Sequence, residues 1–76
     1  MTYFLLVFDR PRRSLVEMRP FADPDEALRE RIKRELELQS SDIEVVVLGA
    51  ASEDDLRRTH GRYFPDPTGG LLAQLV

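Results

Sequence analysis

Asp23-Pro24-Asp25-Glu26-Ala27-Leu28-Arg29-Glu30-Arg31-Ile32-Lys33-Arg34-Glu35-Leu36-Glu37-Leu38 carries a helical signature, and it stands between two apolar β runs. Asp23 is an N-cap residue, Pro24 occupies the first helical position and Glu26 completes a capping box. Leu28, Ile32 and Leu36 recur at i, i+4 and i+8, with Ala27 and Leu38 widening the stripe, so the sequence predicts that this face packs on a sheet. Glu30–Arg34, Arg31–Glu35 and Lys33–Glu37 are spaced as i, i+4 ion pairs on the wet side. Fifteen helical residues span ~22 Å and a seven-residue strand spans ~23 Å, so one helix covers the strands end to end.

Working outward, residues 2–8 (Thr-Tyr-Phe-Leu-Leu-Val-Phe) have almost no polar break and read as a strand buried on both faces. Asp9-Arg10-Pro11-Arg12-Arg13-Ser14 is a turn, and residues 15–19 alternate as a half-exposed edge strand, which makes a hairpin. Ile43–Leu48 is a third strand, interrupted only by Glu44. Ser52 and Asp55 have the spacing of a second capping box, a short helix runs to about His60, and Gly61 is read as the residue that ends it.

The order is ββαβα, an α+β fold. A right-handed crossover makes strands 2 and 3 parallel. The most apolar strand belongs in the middle, so the predicted sheet order is 2-1-3, a split β-α-β unit. Residues 1–64 form one small domain. Residues 65–76 read as a Pro/Gly linker and an apolar tail, Leu71–Val76, that is either a fourth strand, a packing patch or a frayed end. The first helix covers one sheet face, and the short second helix is thin cover for the other. That imbalance predicts a homodimer, sheet face to sheet face or edge to edge.

Composition limits the function classes. A chain of 76 residues without cysteine has no disulfide or thiolate metal site to support a small core. Net charge −3 argues against general affinity for nucleic acid. No stretch is long enough to span a bilayer, and the arginines follow the first apolar run where a signal peptide would place them before it. The expectation is a cytoplasmic protein. Ten of the 11 basic residues are Arg, a bias read as a GC-rich bacterial source.

No catalytic constellation, metal site or cofactor motif emerges. Gly49-Ala50-Ala51-Ser52 lies between a strand and a helix but lacks the glycines and lysine of phosphate-binding loops, and Glu53, Asp54 and Asp55 would repel an anion. His60 stands alone, without a second metal ligand or a nucleophile tied to it, and suits a helix C-terminus. Two arginine clusters remain as anion- or partner-binding residues: Arg57, Arg58, His60, Arg62 and Tyr63, with Phe64 beside them, and Arg10, Arg12 and Arg13 at the hairpin tip. Glu44 and Glu17 are isolated strand carboxylates, read either as acids of raised pKa or as edge-facing charges.

Tyr3-Phe4-Leu5-Leu6-Val7 resembles the first strand of small dimeric α/β proteins with ferredoxin-like halves, including the YCII-like group. The resemblance covers that one strand. It implies that such half-sheets dimerise, while the group's element order and its active-site His and Asp have no counterpart here.

Three functions therefore stand as expectations. The first is a non-enzymatic interaction or homodimerisation module. The second is a small-ligand or enzyme-like domain with a dimer cleft near His60 and Tyr63. The third is nucleic-acid binding by the arginine clusters.

Overall fold

The computed structural model describes residues 1–64, arranged as β1 (Thr2–Asp9), β2 (Ser14–Phe21), α1 (Pro24–Leu38), β3 (Ile43–Ala50), α2 (Glu53–Thr59) and a 3-10 turn, Gly61–Tyr63. The sheet order is β2-β1-β3, with β1 antiparallel to both neighbours. The 2-1-3 order and the α+β class follow the sequence expectation. Residues 65–76, and with them the expected linker and tail, lie outside the described residues.

Alternation along β1 divides the core. Phe4, Leu6 and Phe8 join Leu56 of α2 and Tyr63 in one buried cluster, with Leu15, Met18, Val46 and Leu48 packed against it. The second sheet face, expected to be thinly covered, meets α2 and the 3-10 turn through Leu56 and Tyr63, and its Leu15, Met18, Val46 and Leu48 are only partly buried. Phe8 and Tyr63 meet edge to face, ring centroids 5.5 Å apart. Leu15 and Met18 share this face although three residues apart. A bulge makes that parity work: Val7 pairs with Glu17, Phe8 with Leu15, and Val16 is left over on the β2 side.

The opposite face, with Leu5 and Val7, lies under α1. Asp23 caps the helix, its carboxylate accepting the Asp25 N–H at 2.9 Å. No Glu26 bond completes the expected box among the described hydrogen bonds. At the other end Gln39 takes the left-handed conformation, φ 39°, and donates its N–H to the Glu35 carbonyl. Ser52 likewise caps α2, accepting the Asp55 N–H at 3.2 Å. Gly61 is not the left-handed terminator expected: the chain passes through His60, φ −126°, straight into the 3-10 turn.

The rotation of α1 departs most from expectation. Ala27 is its only buried residue. Leu28, Ile32 and Leu36, expected to face the sheet, are 46, 55 and 65% exposed. The sheet-facing side instead carries Arg34, whose Nη2 lies 2.7 Å from Glu17 Oε2, and Glu30, whose Oε1 accepts from Arg19 and Arg34 at 3.3 Å each. Glu17 and Arg19 stand opposite Val7 and Leu5, on the face that α1 covers. Four charges therefore meet between the helix and the sheet, and the apolar stripe is turned outward. Of the expected pairs within the helix, Glu30–Arg34 and Arg31–Glu35 form.

Candidate functional site

Glu44 breaks the apolar run of β3, and its side chain is only 11% exposed. It sits opposite Phe8, on the face closed by Tyr63. Three donors from two distant elements converge on it. Tyr63 donates its hydroxyl hydrogen to Oε2 at 2.5 Å, and Arg62 Nη2 donates to the same oxygen at 2.6 Å. Arg10, in the β1–β2 turn, approaches Oε1 with Nε at 3.3 Å. Arg10 is itself anchored to the loop before β3: its Nη1 donates to the Ser41 carbonyl at 2.7 Å and its backbone N–H to the Asp42 carbonyl at 2.9 Å. The Arg62 guanidinium also lies over the Tyr63 ring, 4.2 Å from the centroid.

This environment opposes one of the two sequence readings of Glu44. The hydrogen bond from Tyr63 pulls its pKa below the ordinary value, burial works against that, and Arg10 and Arg62 reinforce it. The carboxylate is therefore held ionised rather than kept as an acid of raised pKa. Burial and the neighbouring carboxylate push the Tyr63 phenol up, so it remains a neutral donor. A carboxylate gripped by three donors offers no proton to a substrate. Its chemistry is that of a clamp joining the hairpin turn, the start of β3 and the 3-10 turn.

Glu44 also links the two arginine clusters, through Arg10 of one and Arg62 of the other. The remaining members stand apart. Arg57 Nε lies 3.0 Å from Glu53 Oε2, and its guanidinium is 4.5 Å from the centre of the Phe64 ring. Arg58 pairs with Asp55. Arg12 is 3.8 Å from Asp9. Arg13, at φ 51°, has no ion pair among the described residues. His60 is half-buried at the end of α2, where its backbone N–H donates to the Leu56 carbonyl at 2.8 Å. Among the described residues no group of three His, Cys, Asp or Glu side chains is placed to hold a metal ion, and no helix is long and apolar enough to cross a membrane.

A groove of about 530 Å³ runs between the C-terminal half of α1 and β3. Arg31, Glu35 and Leu38 form one wall, and the consecutive residues Ile43, Glu44, Val45 and Val46 form the other. Side chains of consecutive strand residues alternate between faces, so a cavity touching all four follows the strand's open edge. This groove and the outward stripe of α1 were not legible as a site in the sequence. The signal for the clamp was present, as a lone acid in an apolar strand with arginines at two distant turns. Comparison with protein-family models, curated proteins and solved structures finds no match to the chain.

Proposed function

We propose that this chain is a non-enzymatic protein-interaction module whose docking surface is the outward face of α1. The observation that carries the reading is the exposure of Leu28, Ile32 and Leu36, 46 to 65%, in a helix whose inward side is occupied by Ala27, Glu30 and Arg34. Scattered exposed apolar residues are ordinary, but three on one stripe of one helix form a continuous patch of the kind that marks interaction surfaces. Binding of nucleic acid finds less support, because Arg10, Arg57, Arg58 and Arg62 are each engaged with a carboxylate. A reaction centred on His60 finds less support, because among the described residues no hydrogen bond or ion pair joins its side chain to a nucleophile or a second titratable group. With 10 of the 11 basic residues arginine and the arginines following the first apolar run, the reading is of a cytoplasmic bacterial protein.

The test is photo-crosslinking in the producing cell with Leu36→benzoylphenylalanine in the full chain. A discrete adduct at this position, absent when the probe stands at Arg13, supports the module. A chain that gives no adduct at position 36 overturns it.

A further inference from the structure

Among the described residues β3 and β2 are both edge strands, yet they are built differently. β2 carries the devices that discourage pairing: the bulge at Val16, Pro20 without an N–H, and the charges of Glu17 and Arg19. β3, eight residues of Ile-Glu-Val-Val-Val-Leu-Gly-Ala, has no proline, no bulge and one charge. That charge, Glu44, is neutralised from within by Arg10 and Arg62. The open edge of β3 is a template for another strand.

The outward stripe of α1 lies beside this same edge. At 3.6 residues per turn, Arg31 and Glu35 fall between the sheet-facing Ala27 and the Leu28–Ile32–Leu36 stripe. Those two residues line the groove along β3, so Leu28 and Ile32 lean toward the β3 side while Leu36 stands opposite Ala27. Arg31 and Val46 line the groove together, which sets the middle of the stripe level with the middle of β3.

We infer that a second copy of this chain pairs its β3 antiparallel to β3, joining two three-stranded sheets into one of six strands and bringing the two α1 helices side by side, along the flank of Leu28, Arg31 and Glu35, across the same twofold axis. This rests on the interaction-module reading and names the partner. The spacing permits it. Strands lie ~4.8 Å apart, so a twofold axis between the two β3 strands leaves each β1–β3 seam about 5 Å away. α1 packs mainly on β3 and β1. Two such helices stand ~10 Å apart, the separation of packed helices.

The side chains are self-complementary in that arrangement. With the axis level with position 33, Leu28 of one helix lies level with Leu38 of the other. On the sheet-side flank Arg31 of one copy comes against Glu35 of the other. These two now pair within one helix at 2.7 Å, 44 and 49% exposed, and the axis would double them into a four-charge network. An isologous interface needs this reciprocity.

Because the chain has no cysteine, single-cysteine trapping reads the geometry directly. The experiment combines light scattering on the full chain at micromolar concentration with mild oxidation of Ile32→Cys and Val16→Cys. Expected are a mass twice the 8.8 kDa of one chain, a covalent dimer from Ile32→Cys and none from Val16→Cys, which is 62% exposed on the β2 edge. Ile32→Glu, an exposed site, should leave the circular dichroism unchanged and return the mass to that of a monomer. A dimer trapped by Val16→Cys and not by Ile32→Cys overturns the β3–α1 interface. A monomer that still gives the position-36 adduct overturns the second copy but leaves the module standing with a different protein. A monomer without that adduct overturns both.

Discussion

Tyr63 and Glu44 lie 19 residues apart and share a hydrogen bond of 2.5 Å, made at the rim of the core cluster that Tyr63 helps to close. The phenol is buried among Phe8 and Leu56, and its hydroxyl emerges where the carboxylate is, so one side chain serves both core and clamp.

Tyr63→Phe should therefore keep the ring packing and lose the bond. A hydrogen bond to a charged group contributes about 1.5–3 kcal/mol, and urea denaturation at neutral pH should show a loss in that range. Tyr63→Ala should cost more, since the ring's burial is lost as well. A Tyr63→Phe variant as stable as the wild type would show that the bond contributes nothing.

The pair also sets how stability varies with pH. Glu44 has a folded pKa below the ordinary value, so its contribution is complete above the unfolded value of about 4.5 and declines as pH falls through the folded one. Tyr63 has a folded pKa above 10, so its neutral form is favoured by folding and stability declines as pH rises past 10. Denaturation across a pH series should show Glu44→Gln flattening the acid limb and Tyr63→Phe flattening the alkaline limb. Limbs unchanged from wild type would remove both assignments.

Ala27 tests the rotation of α1. It is fully buried under the helix, so Ala27→Leu overpacks the site and should destabilise by about 1–3 kcal/mol in chemical denaturation. Had the leucine stripe faced the sheet, position 27 would stand at its margin and accept the larger side chain. A neutral or stabilising Ala27→Leu would contradict the observed rotation.

Gln39 ends α1 in a conformation that favours glycine. Gln39→Gly should raise stability by about 0.5–2 kcal/mol, the usual gain from an improved helix cap, while Gln39→Ala should not. Thermal unfolding of the two variants side by side is the measurement.

Much of the architecture is written locally. The apolar run Tyr3–Phe8 of β1, the Asp23 cap with Pro24, and the order of elements dictate the 2-1-3 sheet without reference to distant contacts. The rotation of α1 is not local. Periodicity locates an apolar stripe but does not say which body buries it, and the side that faces the sheet is marked instead by Arg34 with Glu17 and Arg19 with Glu30, pairs that require the β2 register first. That register holds the bulge at Val16, which no residue in Leu15–Arg19 announces. The Glu44 clamp was hidden for a similar reason: its donors come from positions 10, 62 and 63, and only the fold makes them neighbours.

The central strand β1 has a consequence for how the chain is made. β2 follows it at once and covers one of its edges, whereas β3 ends 41 residues after Asp9. At ~5–20 residues per second, ribosomal synthesis leaves the other edge of β1 open for roughly 2–8 seconds. During that interval a nascent hairpin displays Phe4, Leu5, Leu6, Val7 and Phe8 without their second neighbour, so slower elongation should lower the soluble yield while a chaperone that holds extended apolar segments should restore it.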